Sequence, residues 1–374
     1  MKIAFIGRYS FSETMTGPEK VGKRISHLAM QQHNVIFIQY FFYREKNWIW
    51  KKLFGKRIDY DQNLKVYTAG VFTLLKILFS FRPDVIHCTS FERFYLVIFP
   101  FKKLLKAKIS YTINGIVKHE SNNFLNVSWY YKLKESICEK TYIYRADMIF
   151  YLSEQALKVL QNEYKRLNRE KIRLISNGVD KIFFTIPAKR NNSTLKVVFP
   201  PLTYRKEKGL ETFIQIIEKV NCTLQIFFAD AIAPIVTIHN PNIKVITFHK
   251  MSTEELAKFW SDKDVVILPG SYETFSIAVA EAMVAGVIPV VSQSVGISRF
   301  IQNYYSGLVF PLDSISEVTN FLEELSTSYE LREKLSLNAK AVYEQLSWEK
   351  VYQQYNSYYH QLIDARHFSN NACL

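Results

Sequence analysis

The chain is 374 residues long and 48% hydrophobic, enough for two ordinary domains with cores of their own, which excludes a disordered chain. Its four cysteines, Cys88, Cys138, Cys222 and Cys373, form no CxxC pair and have no histidine at ligand spacing; this argues against a disulfide framework or a zinc site and fits a reducing cytoplasm. The formal charge of +14 is divided unevenly, with 31 Lys plus Arg against 15 Asp plus Glu in residues 1–186 (+16) and 17 against 19 in residues 187–374 (−2), so the first half calls for an anionic partner: a membrane surface, nucleic acid or a phosphorylated substrate.

The opening "MKIAFIGRYSFSE" has a brief apolar run and no small-residue cleavage site after it, and reads as a first strand, not a secretion signal. Further β-rich runs follow at 34–40, 64–70, 84–90, 108–114, 147–153 and 172–178, separated by helical patterns, as in βαβ units around a parallel sheet. Between the second and third runs, "FFYREKNWIWKKLFGKRI" (41–58) interleaves Arg44, Lys46, Lys51, Lys52, Lys56 and Arg57 with Phe41, Phe42, Trp48, Trp50 and Phe54. "FYLVIFPF" (94–101) is too short to span a bilayer, and Lys76 interrupts the run "VFTLLKILFSF" (71–81). The polar segment "IPAKRNNST" (186–194) has linker composition, and the strand pattern restarts beyond it at 195–200, 223–230, 243–248, 264–270, 287–292 and 307–311. The expected fold is α/β, with two doubly wound Rossmann-like domains, 1–186 and 187–354, facing a central cleft; a C-terminal helix, 355–374, returns to complete the first. Ligands of such sheets bind beyond the carboxyl ends of the strands.

"GSYETFSIAVAEAMVAGVIPVVS" (270–292) sets two carboxylates in otherwise apolar sequence. A helix starting near Ser276 and stopping at Gly286 puts Glu273 in the loop before it and Glu281 about five residues in, roughly 7 Å further along the axis. The two can then touch different parts of one ligand, while the free N–H groups of the first turn suit a pyrophosphate. Carboxylates accept paired hydrogen bonds and so suit the hydroxyls of a sugar and a ribose. Asp262 and Asp264 form a D-x-D pair of the kind that can hold a metal, but they precede a strand and so belong at the amino edge, away from ligands.

The stretch from 270 to 310 resembles the E-x7-E segment of retaining nucleotide-sugar glycosyltransferases of the two-Rossmann-domain (GT-B) type, glycosyltransferase family 4. "RADMIFYLSEQALKVL", "LISNGVDKIFF", "RKEKGLETFIQII", "STEELAKFWSDKDVVILPGSYE" and "SWEKVYQQY" resemble other segments of that family in the same order. The resemblance implies that Glu273 holds the transferred sugar, Glu281 the ribose, and the backbone from Thr274 through Phe275 and Ser276 to Ile277 the diphosphate. Lys208 matches the family's diphosphate lysine; the usual arginine falls near Thr203, with Arg205 two residues later. No metal and no cofactor beyond the nucleotide-sugar donor are implied, so stabilisation of the leaving diphosphate falls to Arg, Lys and helix N-termini.

In the first domain, Gly17 of "TGPEK" stands where the family has a glycine loop near donor or acceptor, and Asn114 of "TINGIVKHE" stands where the family often has a histidine beside the sugar. Asn114 can hydrogen-bond a sugar hydroxyl, and His119 and Glu120 follow it. The basic and aromatic segment 44–57, with Lys102, Lys103, Lys106 and Lys108 as neighbours, fits the interface of an anionic bilayer better than nucleic acid once a glycosyltransferase is implied. The implied function is transfer of a sugar from a UDP- or GDP-linked donor to a cell-envelope glycan or lipid-linked acceptor, in polysaccharide biosynthesis, by a cytoplasmic enzyme peripheral to the membrane. A sugar-nucleotide epimerase or hydrolase of the same architecture, and a noncatalytic relative that binds membrane or nucleic acid, are the alternatives.

Overall fold

A computed structural model describes residues 1–41, 48–188 and 194–371. Two units make up the chain: Met1–Leu152, Leu157–Ser176 and Trp348–Leu374 form the first, Ser153–Ala156 and Asn177–Ser347 the second. The chain thus changes unit after Ser176, ahead of the expected boundary at 186, and returns at Trp348, ahead of 355. The cause is local pairing: Val179 donates its N–H to the Leu346 carbonyl at 2.7 Å, and Phe184 stacks on Tyr343. Those contacts hold 177–186 inside the second unit, whatever the linker-like composition that follows. Residues 189–193 of that linker, Arg44, Lys46 and Cys373 lie outside the described residues.

The first unit carries an eight-stranded sheet: β1 (Lys2–Ile6), β2 (Asn34–Tyr40), β3 (Lys56–Asp61), β4 (Leu64–Ala69), β5 (Val85–Cys88), β6 (Lys108–Thr112), β7 (Met148–Tyr151) and β8 (Ile172–Leu174), in the order 3-4-2-1-5-6-7-8. Every pairing is parallel except β3 with β4, a hairpin whose two loop residues, Gln62 and Asn63, both have positive φ, as a type I′ turn requires. Lys56 and Arg57, read as part of one basic and aromatic segment, therefore open a strand, while Trp48–Phe54 forms a short helix before it. The central strands are buried on both faces, which explains their unbroken apolar runs. The helix Trp348–Asn371 packs on the helix Gly17–Met30 and seals one sheet face, where Tyr355 bonds Thr112 and, with Tyr359, rings His87. Burial pushes His87 down to about 3, and its ring nitrogens engage Ser110 and Thr112.

The second unit carries β9 (Leu195–Val198), β10 (Leu224–Ala229), β11 (Ile243–Phe248), β12 (Val265–Leu268), β13 (Ile288–Ser292) and β14 (Leu308–Phe310) in the order 11-10-9-12-13-14, all parallel. Strand order reverses between β1 and β5 in one sheet and between β9 and β12 in the other. Such switch points open a crevice at the carboxyl ends.

Candidate active site

At the switch point of the second unit, the loops after β9 and β12 lie backbone against backbone. The Ser271 N–H donates to the Glu207 carbonyl at 2.8 Å. Gly209, at φ +77°, has no room for a side chain: a Cβ there would sit 2.0 Å from the Pro269 carbonyl oxygen, and one on Gly270 would sit 2.9 Å from that of Glu207. This close approach delivers the Lys208 ammonium to Glu273, where Nζ donates to Oε2. Arg205 instead sends Nη2 to the buried Glu207 carboxylate. Gly209 and Gly270 were not singled out from the sequence; their only signal was their place in the "EKG" and "LPGSYE" segments.

The segment that carries Glu273 is fixed from its other side by the loop after β13. Glu273 and Thr274 lie against 295–296: Gly296 donates its N–H to the Glu273 carbonyl at 2.9 Å, Ile297 donates to Phe275 at 2.8 Å, and a Cβ on Gly296 would sit 2.1 Å from the Thr274 oxygen. Ser292 adds a hydroxyl bond to the Gly270 carbonyl. The side chains of Thr274 and Phe275 are buried, so what this stretch offers a ligand is backbone.

The helix begins at Ile277, and Ser276 does not cap it as its residue type suggests. Its backbone is left-handed, at φ 79° and ψ 86°, and its hydroxyl makes no cap bond. A cap serine needs an extended backbone to turn its oxygen toward the first-turn N–H groups. Those N–H groups, at Ile277, Ala278 and Val279, have no carbonyl four residues back within the helix. The helix stops as expected at Gly286, with Gly286 N–H on the Met283 carbonyl and Val287 N–H on that of Ala282, a Schellman arrangement. Glu281 lies in the fifth position of the helix and is 2% exposed, so it does not face solvent.

Asp262 and Asp264 sit at the amino edge, as their order before β12 dictates. Lys196 and Lys263 bond Asp262, and Asp264 accepts the Lys196 N–H at 2.8 Å, joining the starts of β9 and β12. Among the described residues, no three His, Cys, Asp or Glu side chains are grouped to hold a metal ion.

Two candidates of the first unit, Gly17 and Asn114, follow β1 and β6 beyond the carboxyl edge of its own sheet. Asn114, after β6, donates its amide to the Thr89 carbonyl after β5 at 2.7 Å. Thr89 in turn leaves no space at Gly7, where a Cβ would fall 1.9 Å from its hydroxyl. Gly17 is the first residue of its helix, behind Thr16, whose N–H and hydroxyl both go to Glu19. His119 faces Glu163 at 3.5 Å. Lys102 pairs with Asp147 ahead of β7, and Lys106 and Lys108 flank the start of β6, so they lie at the amino edge. The helix Trp48–Phe54 packs at the other end, beside Gly70 after β4. The lysines of 102–108 are therefore not its neighbours. Ile49, Trp50, Phe54 and Phe72 form an exposed apolar group there, with the Phe54 and Phe72 rings stacked. Among the described residues, no helix is long and apolar enough to cross a membrane.

Two family models match consecutive parts of the chain: Glycosyltransferase Family 4 over 25–181 and Glycosyl transferases group 1 over 184–342. A glycosyltransferase of Methanocaldococcus jannaschii, itself uncharacterized, is 27% identical over 256 residues, 66% of this chain and 61% of that protein. The chain thus spans less than two thirds of the length of the curated relatives it matches. Among solved structures, sucrose-phosphate synthase from Thermosynechococcus elongatus superposes with a TM-score of 0.74 at 16% identity, covering 97% of this chain and 99% of that one. Anabaena HepE in complex with UDP-glucose gives 0.69 at 14% identity, covering 96% and 100%. These likenesses are to the GT-B fold.

Proposed function

Since the chain belongs to the GT-B glycosyltransferases, with a family 4 segment followed by a group 1 segment, we propose that it transfers a sugar from a UDP- or GDP-linked donor to a cell-envelope glycan or a lipid-linked acceptor. The observation that carries this reading is the apposition of Lys208 and Glu273 at the switch point of the second unit, with the buried Glu281 on the helix that follows. The UDP-glucose complex of HepE supports the donor class.

In this reading the donor lies across the carboxyl ends of β9 and β12. Two carboxylates beside a diphosphate would repel it, so a cation must lie between them. Lys208 fills that place: as the diphosphate arrives, the ammonium turns toward it, and the Glu273 carboxylate is left to accept hydrogen bonds from the sugar hydroxyls. The N–H groups at Ile277 and beyond, with the positive end of the helix, meet the phosphate oxygens. Arg205 has five N–H donors, so its pairing with Glu207 does not bar a second bond to the diphosphate. Glu281 accepts from the ribose. Asn114 bonds a sugar or acceptor hydroxyl from the first unit, and Gly17 marks close approach of the backbone to the substrate.

Transfer proceeds with retention: the departing phosphate takes the proton of the acceptor hydroxyl on the face where the new bond forms. No metal and no cofactor take part. The enzyme works at the cytoplasmic face of an anionic membrane, and nucleic acid is not its partner. A thermal-shift screen of sugar nucleotides tests the donor class, followed by transfer assays with excess EDTA and by the anomeric configuration of the product. Stabilisation by a UDP- or GDP-sugar, EDTA-resistant transfer and a retained anomer are expected. If no sugar nucleotide shifts the melting temperature, the reading is overturned.

A further inference from the structure

The helix Trp129–Arg145 of the first unit is turned inside out. Its only carboxylates point inward. Glu135 pairs with Arg93 at 3.1 Å, and Glu139 accepts the N–H groups of Val117 and Lys118 at 2.7 and 2.9 Å and the Tyr164 hydroxyl at 2.6 Å. Outward go Trp129 (74% exposed), Tyr130 (61%), Leu133 (51%) and Ile137 (57%). At about 100° per residue, Leu133, Ile137 and Lys140 fall within roughly 60° of one another, with Trp129 and Tyr130 at the margins of the same face. The charges on that face are Lys134 and Lys140, whose ammonium groups lie about 6 Å from the rings of Tyr130 and Tyr144.

We infer that this face lies in the interface of an anionic lipid bilayer. Trp129 and Tyr130 match the headgroup level, where one end of an aromatic side chain is apolar and the other wet. Leu133 and Ile137 enter the acyl boundary, and Lys134 and Lys140 reach lipid phosphates along their apolar stems. The +16 charge of residues 1–186 favours such a surface. A second copy of the chain fits worse, because a two-fold contact would gather Lys134 and Lys140 of both copies with no carboxylate on either face to answer them. The turn Arg93–Val97 ties this face to the other exposed apolar group: Arg93 holds Glu135, and the Lys52 ammonium lies 5.7 Å from the Phe94 ring. The inference rests on the membrane part of the proposed function and moves its apolar anchor to a surface far along the sequence from 44–57.

The test is co-sedimentation with vesicles of phosphatidylcholine, with and without phosphatidylglycerol. It compares the wild type, the pair Leu133→Gln and Ile137→Gln, and the set Lys51→Gln, Lys52→Gln, Lys56→Gln and Arg57→Gln. The helix pair is exposed, so melting temperature and donor binding stay unchanged. Its partition into anionic vesicles falls about tenfold or more, and this loss persists at high salt because it is apolar. Quenching by brominated lipid is smaller in Trp129→Phe than in wild type. If the wild type binds and the helix pair binds equally well, this inference is overturned while the membrane reading stands. If the wild type ignores anionic vesicles, both fall. Should light scattering find a wild-type dimer that the helix pair dissociates, the occupant is a second copy and the lipid assignment is wrong.

Discussion

The two sheets end in different ways at their switch points. After β9 and β12, rigid backbone meets rigid backbone, and the result is a half-buried charged pair, Lys208 with Glu273, held from both sides by glycines. After β1, β5 and β6, side chains meet backbone instead: Thr89 fills the space above Gly7, and Asn114 bonds the Thr89 carbonyl. One edge is over-determined by packed backbone; the other, where Arg8 pairs with Glu92 at 2.6 Å, is set by side chains and is adjustable. The fold supplies a crevice in both units, and in the second a charged pair is locked between packed loops. A donor should therefore be far more sensitive to change in the second unit than in the first.

The sharpest test is Glu273→Gln, which keeps shape and removes charge; transfer should drop about a hundredfold to a thousandfold, as when one electrostatic group is removed from a preorganised site. A loss under tenfold would remove Glu273 from the chemistry. Gly209→Ala and Gly7→Ala then compare the two edges directly. A Cβ is crowded to about 2 Å at both, but at Gly209 by a fixed carbonyl and at positive φ, at Gly7 by a hydroxyl that can rotate away. Chemical denaturation should show Gly209→Ala destabilised by about 3 kcal/mol or more and Gly7→Ala by about 1 to 2, the latter relieved by Thr89→Ala. Equal losses would erase the contrast. Glu281→Ala should weaken binding of the nucleoside diphosphate tenfold to a hundredfold in calorimetry, from about 1.5 to 3 kcal/mol of charged hydrogen bonds.

Acid should act on the first unit through two opposed groups. Burial pushes Glu139 up to about 7, so on acidification the folded state binds its proton before the unfolded state does, and stability gains between pH 7 and the ordinary carboxyl value. Burial holds His87 near 3, so below about pH 6.5 the unfolded state binds the extra proton and stability is lost. The two cancel in the middle of the range. Glu139→Gln should expose the histidine, with stability falling more steeply than wild type on acidification by up to about 1.4 kcal/mol per pH unit between pH 7 and 4.5. Parallel curves would refute the assignment. The smallest effect is Asn114→Ala, about 1 kcal/mol and about fivefold in transfer, for a single neutral hydrogen bond.

Much of this was legible in the sequence because parallel strands are buried on both faces and leave long apolar runs. β3 was not: it is an edge strand of alternating charge, "KRIDYD", and only the Gln62-Asn63 turn betrayed it. Glu273 and Glu281 stand out as carboxylates in apolar sequence, with their roles and Lys208 supplied by the resemblance, but nothing local foretold the left-handed Ser276, which the clamp of 273–275 on 295–297 accompanies. The lysines of 102–108 were grouped with 44–57 by composition, whereas strand direction sends them to opposite edges. In the helix Trp129–Arg145, periodicity marks a stripe but not which way it faces; the inward turn of Glu135 and Glu139 is a tertiary fact.

The hairpin strand β3 has a further consequence. A sheet edge is an open row of N–H and C=O groups, ready to template another chain. β3 covers the apolar β4 and presents Lys56, Arg57 and Asp59 in its place. The opposite edge, β8, is three residues long, as is β14, and β11 carries an exposed Lys244. Each rim is too short or too charged to recruit a foreign strand, so crowding of many copies should not seed amyloid-like stacking. Removing the charges of β3, not unfolding either core, would be the shortest route to fibres.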